Sequence, residues 1–216
     1  MSGEIKFNYR KLTLRLIAVW FGMALAASAL GLFKNNAQRV GIAVAIAASA
    51  PIVLFAIWYA VSAGFRAFVL SLNPRVLTAL QTWRIIGFVF LLLEAHRLLP
   101  AKFAFPAGYG DIFIGATASL VAWQLAETRS RNAFVAWQVL GITDLVVAVG
   151  SGTLSRLLDP NGVSMLPMTV LPLSLVPTFL VPLFFIFHVI CIKQAQRWSP
   201  IGETGRSSRS LRPSAV

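Results

Sequence analysis

The chain has 216 residues, of which 57% are hydrophobic and only 12% charged, about half the charged share of an ordinary soluble domain. So little polar coating excludes a water-soluble globule of this length and makes lipid the expected solvent. The net charge of +12 would suggest nucleic acid in a soluble protein. Here the basic residues fall mainly between and beyond apolar runs, which points to orientation in a bilayer and to no nucleic-acid partner.

Six runs are long enough to cross a hydrocarbon core, which takes about 20 helical residues. They cover approximately 12–33, 40–62, 78–99, 106–126, 133–154 and 170–192. The first follows a basic N-terminal stretch and includes Ala27 and Ala29. It therefore has some marks of a cleavable signal peptide over residues 1–29, although its apolar run exceeds the usual 7–15 residues. The second is nearly free of charge. Residues 63–77 are too short to span again and read as an interfacial segment, with Phe65 and Phe68 inward and Arg66 near the headgroups. Asn73-Pro74 marks the turn that follows.

The third run carries Arg84, Glu94, His96 and Arg97 and is the most polar of the six. Arg84, Gly87, Leu91 and Glu94 share a side at helical spacing, which lets Arg84 approach Glu127 or Asp144. Glu94 and Arg97 have the i,i+3 spacing of a surface ion pair. The fourth run opens on Gly108-Tyr109-Gly110-Asp111, the GYGD string of potassium-channel filters. Pro106 and Ala107 stand where such filters have Thr and Val, so the resemblance ends after four residues. Asp111 is expected in the first helical turn, where the helix dipole favours an anion. With Glu94, His96 and Arg97 it would form a polar vestibule at the non-cytoplasmic surface.

Gly108, Asp111, Gly115, Ala118 and Ala122 align on the fourth run, and Gly141, Asp144, Ala148 and Gly152 on the fifth. Small-residue stripes let membrane helices approach closely, within the chain or toward a membrane-protein partner or second copy. Asp144 lies near the middle of its run and is the foremost candidate for function, with Thr143 or Gln138 as expected hydrogen-bond partners. A charge near the bilayer centre costs about 2.5–3.5 kcal/mol and is usually turned toward the bundle or a wet cavity. The string VAWQ occurs at 121–124 and again at 135–138, which is read as a shared preference for interfacial Trp. The sixth run holds Pro172, Pro177 and Pro182, the composition of a kinked span.

Two histidines, His96 and His188, raise a haem or metal site. Their positions near opposite ends of their helices put them about 20 Å apart along the membrane normal, too far for one haem. Cys191 is the only cysteine, and no metal-ligating motif is present. No cofactor and no metal are expected.

With the N-terminus inside, 14 of the 19 Lys and Arg fall on the cytoplasmic side, so both ends are expected in the cytoplasm. The whole is read as an all-α polytopic bundle of six transmembrane helices, one domain over 1–197, followed by a disordered basic tail over 198–216. Its expected partner is the lipid bilayer, and its expected site the plasma membrane (the inner membrane in a Gram-negative cell). The candidate functional residues are Asp144, Asp111, Glu94, Arg84, His96 and His188. They fit a small carrier or permease-like protein better than an accessory or assembly subunit of a membrane complex. An enzyme acting on a lipid-soluble substrate ranks third, because so few polar residues face the membrane interior.

Overall fold

The structure is a computed structural model that describes residues 8–34, 41–128, 130–158 and 162–198. The expected tail from 199 onward, the first residues of the expected signal-peptide region and the side chains of Glu127 and Arg129 lie outside the described residues. The described residues are helical, with no strand among them.

Among the described residues seven longer helices follow one another: α1 Tyr9–Ala29, α2 Ile42–Val61 and α3 Ala63–Leu70, α4 Pro74–Ala95, α5 Ala101–Thr128, α6 Arg131–Leu158 and α7 Val176–Ala195. Five of these, α1, α2, α4, α6 and α7, are long and apolar enough to cross a membrane. The helix α5 has 28 residues, about 42 Å at 1.5 Å per residue. Glycines, Pro106 and Asp111 dilute its apolar character.

Local chemistry sets the ends. Asn8 caps α1 by accepting from the Lys11 amide at 3.0 Å, and Gly31 leaves it at φ +72°, the left-handed turn that glycine makes without strain. Ser62 accepts from the Phe65 amide at 3.2 Å to start α3. Phe65 and Val69 of α3 are buried, Phe68 packs beside them, and Arg66 lies over the Tyr59 ring at 5.9 Å. Phe65 and Phe68 thus face inward as expected of the segment. Asn73 caps α4 through the Arg75 amide at 2.9 Å, with Pro74 in the first turn. The helix therefore begins four residues before the expected 78.

Two further boundaries move. α5 starts at Ala101 instead of 106, because Phe103, Ala104 and Ala107 pack with Phe90, Leu99 and Met168 into an apolar core. That burial outweighs the amide hydrogen lost at Pro106. α7 starts at Val176 instead of 170, after a short 3-10 turn at Leu166–Thr169. Its first turn, Val176–Leu180, is π-helical, and Thr178 Oγ1 donates to the Ser174 carbonyl at 2.7 Å. The prolines thus shift the helix start and widen its first turn, with a hydroxyl satisfying the backbone.

Helices α4 to α7 form the packed part. α5 lies between α4 and α6, and α7 closes on α2, α4 and α6. One apolar core joins Leu77, Ile114, Ala118, Phe134, Trp137 and Ile190, and a second joins Phe90, Phe103, Ala107 and Met168, with Ala148 and Val176 against it. The first core takes the start of α4, the later part of α5, the start of α6 and the end of α7. The second takes the reverse ends, so successive helices alternate in direction. Between the two cores every one of these helices contributes a polar residue.

Candidate functional site: a buried ion-pair cluster

Polar residues on α4 fall three apart at Thr78, Gln81 and Arg84, followed by Gly87. From Leu80 to Gly87 this helix winds as a 3-10 helix, with three residues per turn. Gln81, Arg84 and Gly87 therefore line up on one buried side. Thr78, Gln81 and Arg84 are 0%, 1% and 3% exposed, so their partners lie inside the protein; Gln81 Nε2 donates to the Phe184 carbonyl at 3.2 Å, while its Oε1 has no partner.

Arg84 is the hub. Its Nε donates to Asp111 Oδ1 of α5 at 2.7 Å, and Nη2 donates to Asp144 Oδ2 of α6. Nη1 donates to the Gly141 carbonyl at 3.3 Å and approaches His188 Nε2 at 3.2 Å. Because a guanidinium can only donate, Nε2 of His188 accepts and Nδ1 carries the ring hydrogen. That hydrogen goes to Gln138 Oε1. The Gln138 amide then donates to Thr78 Oγ1 at 3.1 Å, and Thr78 lies 3.8 Å from Cys191 Sγ. Cys191 in turn donates to the Pro74 carbonyl at 3.9 Å. One directional chain thus runs from Arg84 through α7 and α6 and back to the first turn of α4.

Glycines make room for each charged or ring-bearing member. A methyl group at Gly87 would overlap Asp111, one at Gly110 would overlap the Asp144 carboxylate, and one at Gly141 would overlap the His188 ring. Gly115 sits against the backbone of Ile85, and Gly108 comes within 3.2 Å of the Gly87 carbonyl at its would-be Cβ. The small-residue faces of α5 and α6 are thereby occupied within the chain, Gly152 included, which lies against Met165 and Phe103.

The candidates divide into two groups. Arg84, Asp111, Asp144 and His188 come together; Glu94 and His96 do not join them. Asp111 is in the third turn of α5, not the first, because the helix begins at Ala101; its partner is Arg84 and not the helix dipole. The vestibule expected with Glu94, His96 and Arg97 therefore lacks its aspartate. Glu94 is partly exposed and His96 exposed. No ion pair joins Glu94 to Arg97, which takes φ +57° and turns off the helix.

Asp144 bonds neither Thr143, whose hydroxyl returns to the Val139 carbonyl at 3.0 Å, nor Gln138. His188 lies at the depth of Arg84, not near the helix end, since α7 continues to Ala195. GYGD is helical throughout, so its carbonyls are tied into the helix and cannot line a filter. The two VAWQ copies differ: Trp123 is exposed, while Trp137 is buried and donates to Thr117 Oγ1 at 2.9 Å.

Thr78, Gln81 and the role of Gln138 were the residues missed. The signal for Thr78 and Gln81 is the run of polar residues at intervals of three that ends in Arg84, which a search at 3.6 residues per turn does not pick out.

The chain belongs to the family described as Domain of unknown function (DUF8737), whose model matches residues 39–195. All of Arg84, Asp111, Asp144 and His188 fall inside that match, and α1 precedes it. Neither a curated protein nor a solved structure matches the chain.

Proposed function

We propose that this member of the DUF8737 family is a small carrier of the plasma membrane that binds and releases one positive charge at the Arg84 cluster. The observation that carries the reading is a charge count: one guanidinium lies between two aspartates inside the bundle. A lone Arg84 balances one carboxylate. The other calls for a proton or a small cation, since an uncompensated charge at this depth is costly. The aspartate side chains keep 15% and 10% of their surface while Arg84 keeps 1%. The acids are therefore the reachable part of the cluster and the base is its fixed part. Arg84 itself lies in the 3-10 stretch at Leu80–Gly87, and His188 shares its helix with the π turn at Val176–Leu180; irregular helix of this kind is frequent where membrane helices bind or move.

Six spans with both ends in the cytoplasm are part of the proposal. The alternating direction of the helices supports it, as do the length of α5 and the bias of Lys and Arg to one side. A second reading, an accessory subunit of a membrane complex, is favoured by α2, which has no buried residue along its length. A partner helix would have that whole surface to pack on.

The carrier reading is tested in proteoliposomes loaded with a pH-sensitive dye, under an imposed membrane potential, with sodium, potassium or methylammonium outside. Proton or cation flux above that of protein-free vesicles is expected. Equality with protein-free vesicles for all of these ions would overturn it, and a stoichiometric membrane protein copurifying with the chain would then support the subunit reading.

A further inference from the structure

Helix α1 touches the rest of the protein at its start and over its second half. At one end Tyr9 packs among Trp58, Phe65 and Phe68 at centroid distances of 6.1–6.5 Å, and Gly64 is the residue that leaves room for its hydroxyl. From its middle to its far end, Trp20 and Phe21 meet Phe179 at 4.7 and 5.1 Å, and Ser174 donates to Ser28 at 2.9 Å. Between these attachments α1 stands away from α2, and a groove of about 770 Å³ opens between them, floored by α3 and α7. It runs along α1 from Arg10 to Ala27, about 25 Å at the helical rise. Its size is that of ligand sites.

The lining is apolar almost throughout, with Met23, Ala47, Ala50 and Leu54 facing across it. Three polar side chains interrupt it: Arg10 and Thr13 at one end, and Thr178, whose hydroxyl is already committed to the Ser174 carbonyl. Arg10 and Thr13 are three residues apart and so share a face of α1. The Thr13 hydroxyl is buried with no hydrogen-bond partner, and no carboxylate among the described residues pairs with Arg10. A long hydrocarbon slot with a cation at its mouth, and an unused hydroxyl about 4.5 Å deeper, has the polarity profile of a lipid. Phosphate lies outermost, the ester groups follow, and the chain comes last.

We infer that the groove holds one anionic phospholipid, its phosphate on Arg10, an ester carbonyl accepting from Thr13 Oγ1, and an acyl chain between α1 and α2. The site shares no residue with the Arg84 cluster, so it stands or falls apart from the carrier reading.

Native mass spectrometry of the full chain in detergent tests it, by titration with phosphatidylglycerol and with phosphatidylcholine of the same acyl chains. One adduct per chain is expected, favouring phosphatidylglycerol by about fivefold, the worth of one basic residue near an anionic headgroup. Arg10→Gln, an exposed change that leaves the packing alone, should equalise the two lipids. Ala50→Trp should fill the slot and remove both adducts. Equal binding of the two lipids by the unaltered chain would overturn the inference, as would adducts that survive Ala50→Trp. A protein subunit found seated between α1 and α2 would do the same.

Discussion

At the scale of single residues, the molecule places charge where it is hardest to place, and does so by removing side chains opposite it. Arg84 reaches two aspartates and a histidine because Gly87, Gly110 and Gly141 give up their Cβ positions. Gly110→Ala should therefore push the Asp144 carboxylate off Arg84 and cost about 1–3 kcal/mol, the usual range for overpacking a filled interior. Gly150 on the same helix as Asp144 has nothing within 4 Å of its would-be Cβ. Gly150→Ala should leave stability unchanged or raise it by up to about 1 kcal/mol. Thermal unfolding of the two variants in detergent separates them, and equal effects would remove the seating role from Gly110. The pairing of Arg84 with Asp144 was legible in the sequence, since few charges in the interior leave few partners. The arrival of His188 was not, because it depends on where a proline-rich helix starts and ends.

At the scale of elements, the informative departures are those from the regular α-helix. In an α-helix the six residues from Gln81 to Gly87 place the two about 120° apart; in a 3-10 helix they fall on one line. The observed 3-10 winding of Leu80–Gly87 is what makes Gln81 part of the buried line. Helical periodicity alone put Arg84 with Gly87, Leu91 and Glu94, and so led toward Glu94. The end of α4 shows a second departure. Arg97 adopts φ +57° while Leu98 returns an amide to the Leu93 carbonyl at 2.8 Å, a helix stop in which glycine is the unstrained residue. Arg97→Gly is expected to raise the melting temperature, by an amount corresponding to about 1 kcal/mol. A decrease would mean that the Arg97 side chain makes a contact worth more than the strain.

At the scale of the whole molecule, two apolar cores enclose one polar layer, and the chain crosses that layer once in each of α4, α5, α6 and α7. The apolar runs gave the rough position of the long helices, five of which are long and apolar enough to cross a membrane, because lipid demands about 20 apolar residues for each crossing. They placed α5 and α7 several residues off, because tertiary packing decides where a helix begins: α5 starts at Ala101, ahead of Pro106, and α7 at Val176, after the expected 170. Reporter fusions after Lys34, Lys102 and Asp159 should all read non-cytoplasmic if α5 is a span and the N-terminus is inside. A cytoplasmic signal after Lys102 would contradict this topology.

The layer itself is the centre of the account, and Asp144 is the member whose charge can be removed with least change of shape. Asp144→Asn keeps an oxygen for Arg84 Nη2 while removing the second negative charge, so the bundle should still form. In the proteoliposome flux assay the account predicts that this variant, folded and inserted like the unaltered chain, falls to the level of protein-free vesicles. Flux at the unaltered level through Asp144→Asn would contradict it and leave the cluster a structural tie among four helices.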